Sequence, residues 1–548
     1  MFAASKTDSA STGGYQISRS LRFNDADTAY LTRTPASASN RKTWTWSAWI
    51  KRGKIDRYER YTLFASRPTA NPYTLFYFSG GAQPNQYGLR FEDPSADLQT
   101  TQVFRDMSAW YHIVLAVDTT QATASNRIKM YVNGSQITVF TTATYPPQNT
   151  DMSINNTTEQ CIGSNTYLAS TEDFDGYMTE INFIDGTQLT PSSFGETNAQ
   201  TGVWQPKAYS GSYGTNGFYL NFSDNSNTTA ATLGKDYSGN GNNWTPNNFS
   251  VTAGAGNDSL VDSPTSYGTD TGVGGTVRGN YCTLNPISTA GGTFTNGNLD
   301  WASPTTDGRF CISTISVNNM NCYCEVTIGS ATSFQQVGVY GNPTTFNPRV
   351  QYRSDGNASV DGTTIATYAS FTTNDIIGIA YNSSTGSTSF YKNGTLQGSM
   401  TATSTTVTQY FAAGSNSSGA AANYTFNFGQ RPFAYTAPSG FKALCTQNLP
   451  TPTIGATTAT LASQFFAPVL YTGNDGVNTV TTGIDMATSG ALVWIKNRSA
   501  NIGHALINPV VGYGSFLQSN STSAENAFSF ITATSSTGFT MNTGSSTF

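Results

Sequence analysis

Three observations predict an all-β chain of tandem antiparallel β-sandwiches. The first is composition. Roughly a third of the 548 residues are Ser, Thr or Asn, with 52 Gly besides. These are poor helix formers and good turn or strand-edge residues. The second is periodicity: Trp44, Trp46, Ala48 and Ile50 alternate with Thr45, Ser47 and Trp49, the period of two that marks a strand. The third is punctuation by Asn-Gly and Asp-Gly pairs, which supply the positive φ of tight hairpin turns. The length corresponds to about three or four domains.

Along the chain, residues 1–15 read as a small polar arm and 16–205 as a first sandwich. Its strands are Trp44 to Ile50, Tyr73 to Phe78, Trp110 to Val117, Lys129 to Val132 and Gly176 to Phe183, with turns at Asn133-Gly134, Asp175-Gly176 and Asp185-Gly186. Residues 206–290, rich in Gly, Asn, Ser and Thr, read as a connector that packs on its neighbours. A second sandwich is expected over 291–447, with turns at Asp307-Gly308, Asp355-Gly356 and Asn393-Gly394. Two prolines make 449–453 a stiff linker. Residues 455–548 form a partial third β module, too short for a sandwich of the first kind. The expectation is that it either continues beyond residue 548 or completes its sheet with a neighbour. Weak internal echoes support the repetition. Leu115 to Asp118 then Met130 to Gly134 parallels Gly378 to Asn382 then Phe390 to Gly394, and Trp49 to Arg52 parallels Trp494 to Arg498.

Charged residues are only 11% of the chain, against about 25% in an average soluble protein. Aromatics reach 13%, so the low charge signals a neutral, hydroxyl-rich surface and not disorder. No apolar run approaches the length of a membrane span, and the first fifteen residues lack the apolar core of a secretion signal. The net charge of −5 comes from sparse, mixed charges. With no basic stripe to follow phosphates, nucleic acid is not an expected partner. The six cysteines (161, 282, 311, 322, 324 and 445) match no zinc spacing. They are expected as buried thiols, with disulfides the alternative. The two histidines are His112 and His504. His112 lies in an apolar run and is expected to pack, not to catalyse. Asn-x-Ser/Thr triplets occur at about the frequency composition alone provides and carry no signal.

Sugar binding needs an aromatic plane and amide or carboxylate partners for hydroxyls. Trp204, Tyr237, Asn242, Asn243 and Trp244 are the candidates, because Trp244 sits in a polar, glycine-rich loop. The competing reading is a tryptophan that anchors this loop to the sandwich. Trp44, Trp46, Trp49 and Trp110 read as core or inter-sheet residues.

The first sandwich resembles the concanavalin A-like, laminin-G type jelly roll. The resemblance rests on S-L-R-F from Ser20, W-S-A-W-I-K from Trp46, W-Y-H-I-V-L-A-V-D from Trp110, M-Y-V-N-G from Met130 and D-F-D-G-Y-M-T-E-I from Asp173. The second resembles a SPRY-type domain through Y-C-E-V-T-I from Tyr323, N-D-I-I-G-I-A-Y from Asn374, S-F-Y-K-N-G from Ser389 and Y-T-F-N-F-G-Q-R-P-F from Tyr424. The combination, with the stretch Thr269 to Pro286, resembles virion surface proteins of marine bacteriophages that carry such modules in tandem.

That resemblance implies a tail fibre or adhesin on the virion that contacts a host surface polysaccharide. It also implies a homotrimer, which would cover exposed sheet edges, attached to tail adaptor, nozzle or capsid proteins. A capsid-decorating fibre is one alternative. A free carbohydrate-binding or glycoside-cleaving protein is another. Cleavage is not expected: glucanases of this fold carry a tight acidic E-x-D-x-x-E strand, and the nearest acidic cluster here is Glu172, Asp173, Asp175 and Glu180. No cofactor is expected. Calcium, which some laminin-G domains bind, has Asp118, Asp173 and Asp175 as candidate ligands, against a plain turn-closing role.

Overall fold

The computed structural model describes residues 14–542 apart from 56–59, 68, 81–86, 169–171, 200, 289–290, 306–307, 331–333, 342–345, 416–420, 452–459, 475, 499, 501 and 511. Most of the predicted arm therefore lies outside the described residues, as does Asp307 of one predicted turn. The described residues contain strands and short 3-10 turns and no α-helix.

The first sandwich is built from β1 (Ser20–Phe23), β2 (Tyr30–Arg33), β3 (Thr43–Arg52), β4 (Arg60–Ser66), β5 (Thr74–Ser79), β6 (Gly88–Asp93), β7 (Ala96–Val103), β8 (Trp110–Asp118), β9 (Ile128–Val132), β10 (Ser135–Ile137), β11 (Phe140–Thr144), β12 (Gln160–Ile162) and β13 (Gly176–Asp185). Further on, β14 (Gly195–Thr197) pairs with β15 (Trp204–Pro206). Three strands come from the 206–290 segment: β16 (Phe218–Leu220), β17 (Thr245–Asn247) and β18 (Ser259–Leu260). One sheet runs β10-β9-β8-β3-β13-β1-β18, with β16 also paired to β13, and the other β11-β7-β6-β5-β4-β12-β2-β17. The segment read as a connector thus supplies outer strands to both sheets of the first sandwich.

Strand periodicity explains the core. Trp44, Trp46, Ala48 and Ile50 face inward against Phe64, Phe76, Phe78 and Phe91 of the opposite sheet. The other face of β3 is covered as well. Trp49 joins Trp110 and Tyr177 in the apolar cluster that continues into the second sandwich. Val114, Ala116 and Ile184 are covered by Phe194, Tyr209 and Tyr213. This first sheet is therefore buried on both sides along much of its length. A bulge in β13 between Thr179 and Asn182 places Glu180 at φ 54°. Its carboxylate accepts hydroxyl hydrogen bonds from Tyr15 (2.5 Å) and Tyr219 (2.7 Å), which pins the chain where the arm ends.

The second sandwich pairs a seven-stranded sheet, centred on Cys322–Ser330 and Ile376–Asn382, with a six-stranded sheet centred on Gln335–Gly341 and Arg349–Arg353. Val326, Ile328, Val337, Val339, Ile379, Phe411 and Phe426 fill the space between them. All six cysteines are free and buried.

Both sandwiches belong to one unit, made of Met1–Thr197 and Val203–Thr451; Pro452–Phe548 with Asn198–Gly202 forms another. In the latter, a three-stranded sheet (Val477–Thr481, Gly538–Asn542, Ile531–Ser535) and a four-stranded sheet beginning at Val493–Ile495 enclose a small core around Val480, Ile495, Ile507 and Met541.

Candidate functional site

The residues proposed for sugar contact have other employment. Trp244 has no exposed surface. Its ring packs edge-on against Phe218 at 4.8 Å and beside Phe64 at 6.4 Å, so it anchors its loop and offers no face to a ligand. Around it, Asp236 braces the loop by accepting from the backbone N–H of Tyr219, Ser238 and Asn242. Asn242 donates to the carbonyls of Thr215 and Gly217 and accepts from Arg33. The Asn243 side-chain oxygen Oδ1 accepts the Asp236 N–H. Tyr237 is half-buried beside the Lys235 ammonium, 5.1 Å from its ring centre.

Trp204 lies elsewhere, on the outer face of the first sheet. Its indole N–H donates to His112 Nδ1 (3.0 Å), and the two rings stack at 5.9 Å. His112 stacks in turn on Trp49 at 5.0 Å. Because Nδ1 accepts, the proton sits on Nε2, which faces the Ser47 hydroxyl at 2.9 Å. Burial holds His112 down to about 3, so it is a neutral packing group, as its apolar run indicated. The Asn133-Gly134 turn serves this stack too: Gly134 sits at φ 83°, and a Cβ there would come within 2.6 Å of the Trp204 ring.

The calcium candidates do not converge. Asp118 pairs with Thr43 at one end of β3, while Gly176, next to Asp175, pairs with Arg52 at the other. Nine residue steps at about 3.3 Å put them roughly 30 Å apart. Asp118 closes a turn, accepting from Thr43, Thr120 and Gln121. Asp173 is buried and accepts from Ser164. Asp175 is buried, and its nearest titrating neighbour is Asp25. Burial, and Asp25 beside it, push its carboxyl up to about 8. No group of three or more His, Cys, Asp or Glu suited to a metal occurs among the described residues.

A different constellation stands on the outer face of the second sheet. In β5 and β6, Phe76, Phe78, Leu89 and Phe91 point into the core. Tyr77, Arg90 and Glu92 therefore point out, joined by Arg60 from β4 and Asp97 from β7. Glu92 is the hub. It accepts from Tyr77 (2.7 Å), Tyr73 (3.1 Å) and Arg60 (3.3 Å). Arg60 also donates to the buried Glu172, which Asn165 holds at 2.7 Å. Arg90 grips Asp97 with two parallel bonds of 2.7 and 2.8 Å, the strong bidentate geometry of guanidinium and carboxylate. The guanidinium of Arg60 lies over Tyr77 at 5.1 Å, and that of Arg67 over Tyr73 and Tyr167 at 5.2 and 5.0 Å.

Burial pushes the Glu92 carboxyl up, but the Tyr77 hydroxyl, Arg60 and Arg90 outweigh it and hold the group below its usual range. It is an ionised acceptor, not a proton donor. Tyr73, Arg60, Arg67, Arg90, Glu92 and Asp97 are all half-buried, and Tyr167 is exposed. The face thus presents an aromatic surface, oriented N–H donors and carboxylate acceptors on a rigid sheet. The loop-centred reading of the sequence missed it. The signal was there: Arg90 and Glu92 alternate with Leu89 and Phe91, an unusual concentration of charge in so charge-poor a chain.

Residues 25–193 match the model of the concanavalin A-like lectin/glucanases superfamily. Residues 461–547 match a domain of unknown function, DUF7483. Comparison with curated proteins returns no match. Among solved structures, the SPRY domain of human HERC1 is similar at 20% identity, over 26% of this chain and 96% of that one, with a TM-score of 0.25. A putative carbohydrate binding protein from Bacteroides ovatus ATCC 8483 is similar at 15% identity, over 43% of this chain and 60% of that one, with a TM-score of 0.27. A heptameric SAP-like pentraxin from Limulus polyphemus is similar at 15% identity, over 32% and 80%, with a TM-score of 0.22.

Proposed function

We propose that this chain is a non-enzymatic carbohydrate-binding protein displayed on a bacteriophage particle as a tail fibre that contacts host surface polysaccharide. The observation that carries the binding role is the Tyr73, Arg90, Glu92 and Asp97 face. It combines a partly exposed ring with fixed donors and acceptors, the chemistry a sugar's apolar face and hydroxyls require. The Glu92 carboxylate, held ionised by Tyr77, Arg60 and Arg90, suits binding better than acid catalysis, which needs one carboxyl kept protonated. The lectin-superfamily match over residues 25–193 supports the same reading. Two sandwiches in one unit, with a polar surface of few charges, suit an extracellular fibre whose contacts are little affected by salt.

The test is binding of the full chain to host polysaccharides by calorimetry or on a glycan array. Tyr73→Ala and Arg90→Ala are each expected to weaken binding about tenfold or more, with folding unchanged by circular dichroism. Equal binding by both variants would move the site elsewhere. Light scattering is expected to give about three times the 58.5 kDa chain mass, and a clean monomer would remove the self-assembling fibre. Antibody labelling of particles should decorate tails; labelled heads would favour the capsid fibre.

A further inference from the structure

The junction between the first sandwich and the chain entering the second holds a buried lysine in an unusual setting. Lys51, on β3, has no exposed side-chain surface. Its ammonium donates to Asp262 Oδ2 (2.9 Å), Asn280 Oδ1 (2.8 Å) and the Tyr281 carbonyl (2.7 Å). Asp262, 1% exposed, is oriented through Oδ1 by the Trp110 indole N–H (3.2 Å) and the Tyr281 N–H (3.1 Å). The Asn280 amide nitrogen is held by the Ser108 carbonyl (2.6 Å). Tyr177, whose ring lies 5.5 Å from the ammonium, and Trp110 enclose the group with apolar surface. Asn280 is half-buried, so its side is open towards solvent.

We propose that Lys51 and Asn280 join in an intramolecular isopeptide bond, with Asp262 as the proton carrier. Three requirements meet here: a primary amine, a carboxamide within hydrogen-bond distance, and a buried acid touching the amine. Burial also makes the separated charges of an ammonium and a carboxylate expensive. It pushes the Asp262 carboxyl up, against the pull of Lys51. Passing one proton from Lys51 Nζ to Asp262 leaves a neutral pair and a nucleophilic amine.

Nζ then turns from Asn280 Oδ1 onto the adjacent Cγ. The new Nζ–Cγ bond forms as the carbonyl takes up the electron pair. Asp262 returns its proton to the Asn280 nitrogen, and the Cγ–Nδ2 bond breaks. The second Nζ proton passes through Asp262 to the leaving group. The electron pair on oxygen returns to re-form the carbonyl, the Asn280 nitrogen departs on the solvent side as ammonium, Asp262 is again a carboxylate, and a neutral secondary amide remains. No oxidant, metal or cofactor takes part. The product would tie β3 of the first sandwich to the segment leading into the second, a covalent clamp at the joint between two modules.

The test is the intact mass of the purified full chain, followed by a peptide map. Wild type is expected to be lighter than its sequence by one ammonia. Digestion should yield a branched peptide joining Lys51 and Asn280, with Lys51 refractory to trypsin and to amine labelling. Asp262→Asn and Asn280→Ala are expected at full sequence mass. Asn280→Asp, which would lose water in place of ammonia, gives a second reading on the same bond if either of those variants fails to fold. A folded wild-type chain at full sequence mass overturns the proposal. So does loss of ammonia without the branched peptide, which would mean asparagine cyclisation alone.

Discussion

Replacing Asp175 by asparagine should change how stability depends on pH. Gly53 lies so close that a Cβ there would stand 1.8 Å from Asp175 Oδ1. Asp25, paired with Lys54 at 2.8 Å, is the neighbouring carboxylate. The buried carboxyl is raised from 3.8 to about 8, so the folded chain keeps a proton that the unfolded chain has lost. Its stabilising contribution is full below the unfolded pKa and is lost as pH rises through the folded one. Across that window stability should fall by about 1.4 kcal/mol per pH unit, or about 4 kcal/mol from pH 5 to pH 8. Asparagine cannot ionise and can donate to Asp25, so Asp175→Asn should flatten this slope and melt higher than wild type at pH 8. Denaturant unfolding followed by tryptophan fluorescence suits the question, since Trp494 is the one tryptophan of eight outside the two-sandwich unit. Parallel pH profiles for wild type and variant would refute the buried proton.

Four further outcomes follow from the packing. Trp244→Ala should cost about 3–5 kcal/mol through the cavity it leaves and should leave glycan binding by the folded protein unchanged. Trp204→Phe removes the donor to His112 Nδ1 and should cost about 1 kcal/mol; His112 in wild type should show no titration by NMR between pH 5 and 8, given its value of about 3. Arg60→Met leaves the buried Glu172 without its main partner and should destabilise the fold by a few kcal/mol, read as a lowered urea midpoint.

Much of the fold was legible in local sequence. Period two at Trp44 to Ile50 sends alternate side chains to opposite faces wherever the strand is placed, and Asn133-Gly134 forms the same left-handed turn in any surroundings. The apolar run around His112 likewise implied a packed imidazole. The candidate site was less legible. Trp244 in a polar, glycine-rich loop looked exposed, but the loop folds back and seats the ring in the core between Phe64 and Phe218. The stretch 206–290 carried too few apolar residues to show its strands, since β16, β17 and β18 are two or three residues long and are defined by their partners.

The sequence by itself determined an all-β chain, its turns and a neutral polar surface, because backbone propensity and side-chain alternation act over a few residues. Tertiary structure alone decided which groups meet. Tyr73, Arg60, Glu92 and Glu172 come together only when three strands and a loop meet in register. Lys51, Asp262 and Asn280 stand more than two hundred residues apart at their extremes. Their meeting depends on burying both faces of one sheet, and no local pattern encodes that.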